Sequence, residues 1–233
     1  MESMAATTTE QHLNNAGVVC MQCGQLQIAW DLFKGALELH LAHEKYRVNP
    51  NGGLSKMAKN FISRAYDRYN EFISSQKNDD EKMTPFVVTG GHGEDESFCH
   101  FFLFRDPIKI PDDFLEDPIK SYLPGLIIIL NMAILEDYKN ASSTQALSLY
   151  QLAASLLSGS SAEVQYELII MNNLAVWHQH SGDVSVAEKY MRRVALIAYK
   201  FPSDPCFTPV VWDGIAFNLQ WFAAPRFKIS PAA

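Results

Sequence analysis

Residues 13–36 read Leu-Asn-Asn-Ala-Gly-Val-Val-Cys-Met-Gln-Cys-Gly-Gln-Leu-Gln-Ile-Ala-Trp-Asp-Leu-Phe-Lys-Gly-Ala. Leu13, Ala16, Gly17 and Cys20 recur at the 3/4 spacing of a helix face, Gly24 breaks the pattern, and Ile28, Ala29, Leu32, Phe33, Ala36 and Leu37 resume it. This is a helix hairpin. Small residues sit where two backbones must approach, a glycine sits where the turn needs unusual φ, and a large apolar residue lies one turn beyond.

The same plan recurs further along. Ala29, Ala146 and Ala187 are followed four residues later by Phe33, Tyr150 and Met191, and seven later by Ala36, Ala153 and Val194. Thirteen residues before each anchor stand Ala16, Ala133 and Leu174; five before stand Gly24, Ala141 and Gly182; fifteen before stand Asn14, Asn131 and Asn172. The fold expected is all-α: one domain over 1–233 holding a right-handed solenoid of helix hairpins with a small β-prone insert. Its parts are a first repeat at 10–46, an extra helix at 54–76, an acidic insert at 77–120, a second repeat at 121–157, a third at 162–200, and a terminal apolar helix at 209–223. The β-prone character rests on Phe86–Thr89 and on residues 98–105, rich in aromatic and β-branched side chains.

Charge marks the insert as different. Residues 78–120 hold 11 acids against four bases and carry the whole net charge of −7; the remaining 190 residues hold 15 of each. With 48% apolar residues the chain is globular. The lack of a basic cluster excludes phosphate neutralisation, so no nucleic-acid partner is expected, and docking on anionic lipid is disfavoured. The longest apolar run, Leu126–Leu135, is half the length of a membrane span. The N-terminal stretch lacks the basic and apolar regions of an export signal. Four irregularly spaced cysteines make no disulfide framework, and a cytoplasmic setting is expected.

Leu13-Asn14-Asn15-Ala16-Gly17, Gly24, Ala29, Phe33 and Ala36 resemble the tetratricopeptide repeat (TPR) pattern. Asn172-Asn173-Leu174-Ala175-Val176-Trp177 with Gly182-Asp183 is similar to the longer repeats of kinesin light chains. Thr84-Pro85-Phe86, Leu103–Pro111, Ile129–Ala133, Leu147–Ala153 and Trp212–Ile215 resemble TPR-like proteins abundant in diatoms, a likeness that gives organisation and no activity. The resemblance implies a non-catalytic protein-interaction scaffold whose concave groove holds a peptide or a partner helix.

Five asparagines carry the candidate site. Asn14, Asn15, Asn131, Asn172 and Asn173 lie inside helices, where Asn is disfavoured by roughly 0.6 kcal/mol against Ala. In TPR-like packing they face the groove, with Val18, Leu135 and Val176 one turn further on. Two roles are open: an amide can grip the backbone of an extended peptide, or it can bond neighbouring helices and hold the stack. No Lys or Arg stands at Val18, Leu135 or Val176, so a clamp for a terminal carboxylate is not expected.

Other residues of the chain are of types that carry chemistry. Cys20 and Cys23 form a lone C-x-x-C, two ligands where zinc needs four. Together with His92, Cys99 and His100 they define the competing reading, a metal-binding or enzymatic protein. His92 and Glu94–Glu96 lack the order of a calcium loop, and no glycine pattern cradles a nucleotide. His178 and His180 are placed to cap a helix beside Gly182. No catalytic residue, cofactor or metal is expected. Trp212, Phe217, Trp221 and Phe222 make the last helix aromatic on more than one face, which suggests self-packing or a homodimer through it, and a self-associating structural subunit is the third reading.

Overall fold

The structure, a computed structural model, describes residues 2–48, 55–76, 101–111, 122–140, 143–159, 163–201 and 209–223. Among these residues are eight helices and no strand: α1 (Glu2–Gln22), α2 (Leu26–Val48), α3 (Lys56–Gln76), α4 (Leu123–Lys139), α5 (Thr144–Leu156), α6 (Val164–His180), α7 (Val184–Lys200) and α8 (Pro209–Ala223). The β-prone stretch Phe86–Thr89 lies outside the described residues. The described part of the other, residues 101–105, carries no strand. The chain divides into two compact units. The first comprises Met1–Gly91 and Arg105–Glu163; the second comprises His92–Phe104 and Val164–Ala233.

In the first unit, α1 and α2 pair across a three-residue turn. Gln25 N–H donates to Cys20 C=O at 2.8 Å and Gly24 N–H to Met21 C=O at 3.0 Å, with Gly24 at φ +73°. This closes the carbonyl end of α1 with a left-handed glycine. Ala16, Ala29 and Ala36 are buried, and the Phe33 ring lies against bare backbone at Gly17, where a Cβ would stand 2.6 Å from it. The small residues are thus the places where the two helices close up.

α4 packs on α2 and α1. Leu123 through Leu135 are buried without a break, so the long apolar run is a helix surrounded by protein. No helix among the described residues is long and apolar enough to cross a membrane. α5 closes the second hairpin on α4, with Ala146, Tyr150 and Ala153 fully buried and Ser143 accepting from Ala146 N–H at its start. α3 lies on α2 through Ala58, Ala65 and Phe72, and its Arg68 pairs with Asp31.

The second unit repeats the hairpin in α6 and α7. Asp183 N–H donates to His178 C=O at 2.9 Å and Gly182 N–H to Gln179 C=O at 3.2 Å, with Gly182 at φ +82°. The bonds match those around Gly24 position for position. Ala187, Met191 and Val194 are buried as Ala29, Phe33 and Ala36 are. α8 packs on α7 and buries Val211, Ile215 and Asn218, leaving Phe217 48% exposed.

Candidate functional site

Asn14, Asn131, Asn172, Asn173 and Asn218 are all fully buried. A buried amide without partners costs several kcal/mol, so these side chains must be bonded inside the protein. Their partner is the chain's own segment 101–110.

In the first unit, Ile108 N–H donates to Asn131 Oδ1 and Asn131 Nδ2 donates back to Ile108 C=O, both at 2.7 Å. Two residues on, Ile110 N–H donates to Asn15 Oδ1 at 2.8 Å and Asn15 Nδ2 returns to Ile110 C=O at 3.1 Å. Asn14 Nδ2 adds a bond to Ile108 C=O at 3.1 Å, and Gln11 Nε2 one to Ile110 C=O at 3.0 Å. The amides also bond each other: Asn131 Nδ2 to Asn14 Oδ1 at 3.0 Å, and Asn14 Nδ2 to Asn15 Oδ1 at 3.1 Å.

The second unit contains the same network on different residues. Phe102 N–H donates to Asn218 Oδ1 at 2.9 Å and Asn218 Nδ2 returns to Phe102 C=O at 2.7 Å. Phe104 N–H donates to Asn173 Oδ1 at 3.0 Å and Asn173 Nδ2 returns to Phe104 C=O at 2.8 Å. Asn172 Nδ2 bonds Phe102 C=O at 3.1 Å. Between the amides, Asn218 Nδ2 reaches Asn172 Oδ1 at 2.8 Å and Asn172 Nδ2 reaches Asn173 Oδ1 at 3.2 Å. Asn172, Asn173 and Asn218 therefore play the parts of Asn14, Asn15 and Asn131. Each triad grips both polar groups of residues i and i+2, which point the same way only in an extended chain. The primary amide suits the task because it offers donor and acceptor side by side.

The gripped residues also bury side chains. Ile110 is 1% exposed and Phe104 8%. The Phe102 ring sits against Gly214 of α8, where a Cβ would lie 2.2 Å away. The Phe101 ring meets Trp221 edge-on at 4.5 Å and lies 5.6 Å from Phe222. Thus Trp221 and Phe222 of the terminal helix have an aromatic partner within their own unit.

All five asparagines expected from the sequence take part. Val18, Leu135 and Val176 are buried to within 1% and present no surface. Asn218 and Gln11 were missed by sequence reasoning. Asn218 carries the signal that marked Asn131, a polar amide between apolar neighbours (Phe217 and Leu219) inside an apolar helix. Gln11 carries none, since Gln is at home in helices.

Burial pushes the Asp137 carboxyl up to about 6, while a hydrogen bond from Tyr150 and the charge of Arg105 pull the other way. Burial also raises Glu10, but hydrogen bonds with His40 and His43 outweigh it and hold its carboxyl below the ordinary value. His40 Nδ1 lies 2.8 Å and His43 Nδ1 3.4 Å from that carboxylate. Cys20 is buried and its thiol is pushed up to about 12 by burial, then by neighbouring Cys23; both cysteines are free. His92, Cys99 and His100 lie outside the described residues. Among those described, no group of His, Cys, Asp and Glu is arranged to hold a metal ion. His178, 9% exposed, stacks on Tyr190 and lies 3.5 Å from Asp183.

Comparison with models of protein families, with curated proteins and with solved structures found no match.

Proposed function

We propose that this chain is a non-catalytic protein-interaction scaffold, a TPR-like right-handed solenoid of kinesin-light-chain-like repeats acting in the cytoplasm. It grips an extended polypeptide by the backbone. One observation carries the reading: residues 102, 104, 108 and 110 each have N–H and C=O bonded to a single asparagine amide. Such a grip is indifferent to side chains, so it serves peptides of varied sequence. The resident segment occupies it in cis, and an incoming peptide or partner helix end must displace that segment.

The test is a pair of labelled peptides with the sequences of residues 101–106 and 106–111, titrated onto the full chain, each beside a form N-methylated at the amides that stand for Phe102 and Phe104 or for Ile108 and Ile110. Saturable binding should weaken at least fivefold on methylation, about the equivalent of a lost hydrogen bond, because the incoming peptide loses its bonds while the resident segment keeps its own. Absence of saturable binding would leave the asparagines as purely structural ties.

A further inference from the structure

Two contacts in the second unit go beyond the backbone. The Phe102 ring rests on α8 at Gly214, with three ring atoms within 2.6 Å of where a Cβ would stand. The crowded atoms include the first ring carbon, at the rigid base of the side chain, so the ring has little room to move aside. Phe101, next in sequence and therefore on the opposite face of an extended chain, sets its edge on Trp221. Phe104, two residues on, is buried beside the Asn173 grip. The backbone bonds fix the register, and the seat on Gly214 fixes the side chain at one position of that register.

We infer that this seat selects an aromatic residue, and that the partner is an extended segment of another protein carrying large aromatic side chains at alternate positions. The inference rests on the backbone-gripping reading and adds specificity to it. The amide triad binds any extended chain; Gly214 decides which chain. A side chain smaller than Phe leaves the seat empty, and a residue larger than glycine at 214 fills it. Phe102 of the resident segment is then a built-in stand-in for the partner's aromatic residue.

The receptor for the test is the full chain with Phe102→Ala, which empties the seat and keeps the resident backbone. The probes are three labelled peptides: the sequence of residues 101–106, the same with Ser in place of Phe102 and Phe104, and the same with Ala in place of Phe102 alone. The first should bind saturably, at least tenfold tighter than the Ser form and tighter than to the unaltered chain. Adding Gly214→Ala should weaken it at least tenfold, yet leave the Ala-containing peptide unchanged. Alanine favours helix over glycine, so α8 stays formed, which circular dichroism checks. Equal binding of the first two peptides would overturn the aromatic selection and leave the backbone grip standing. No binding of any peptide to the Phe102→Ala chain would overturn both. A doubled mass of the unaltered chain in light scattering, lost on Phe102→Ala, would make the occupant a second copy and overturn the choice of partner.

Discussion

Asn173 and Phe104, 69 residues apart, exchange two hydrogen bonds of 3.0 and 2.8 Å. Both residues are buried, so loss of the amide leaves the freed groups inside the protein. Asn173→Ala should therefore leave a buried N–H and a buried C=O unsatisfied, each costing about 1–3 kcal/mol. Urea unfolding should show a loss of about 2–4 kcal/mol, and the Phe104 amide should exchange its hydrogen much faster. A loss below about 0.5 kcal/mol, the range of an ordinary surface change, would mean that the segment is not held there.

Gly17 and Gly35 both lie in the first hairpin, yet alanine should act on them in opposite directions. At Gly35 the nearest atom to a Cβ would be 3.4 Å away, an ordinary contact, so Gly35→Ala gains helix propensity of up to about 1 kcal/mol. At Gly17 the Cβ would stand 2.6 Å from the Phe33 ring, and overpacking of about 1–3 kcal/mol exceeds the same gain. Thermal melts of the two variants check the pair; a stabilised Gly17→Ala would refute the close approach.

Asp137 and Glu10 should give the first unit opposing responses to pH. The Asp137 carboxyl is raised from 3.8 to about 6, so the folded state holds its proton more tightly than the unfolded chain. Its contribution is fully present below 3.8 and is lost as pH rises through about 6, by roughly 3 kcal/mol. Asp137→Asn should flatten that fall and raise stability at pH 7. The Glu10 carboxyl is lowered, so its contribution is present above its ordinary 4.5 and is lost as pH falls through its folded value. Glu10→Gln should remove this acid-side loss. Stability curves across the acid and neutral range, where carboxylates titrate, would show a slope of the wrong sign if either assignment fails.

Cys20 should resist alkylation. Its thiol is buried and pushed up to about 12, so almost no thiolate exists near neutral pH. Peptide mapping after iodoacetamide treatment at pH 7.5, below the ordinary thiol value, should find Cys23 labelled well before Cys20. Equal rates would show that the end of α1 opens readily.

The helices and their turns could be read from the sequence because their causes are local. The 3/4 spacing of Leu13, Ala16, Gly17 and Cys20 marks a helix, and Gly24 and Gly182 mark turns that need positive φ. The asparagines stood out for the same reason, as residues poorly suited to the helices that contain them. Asn218 was legible in principle and was hidden by the aromatic residues around it.

What the amides hold could not be read. Both a foreign peptide and neighbouring helices satisfy an amide equally well, and one asparagine gives no sign of which it meets. In the structure Asn14, Asn15 and Asn131 bond one another across two helices and also bond the chain's own Ile108 and Ile110, 94–95 residues from Asn14 and Asn15. The sequence alone determined that asparagines recur at matching positions of a helical pattern, inside helices that disfavour them. Only the tertiary structure decided that the chain's own segment satisfies them, because a hydrogen bond across such a separation depends on where folding brings the backbone, and no local pattern encodes that.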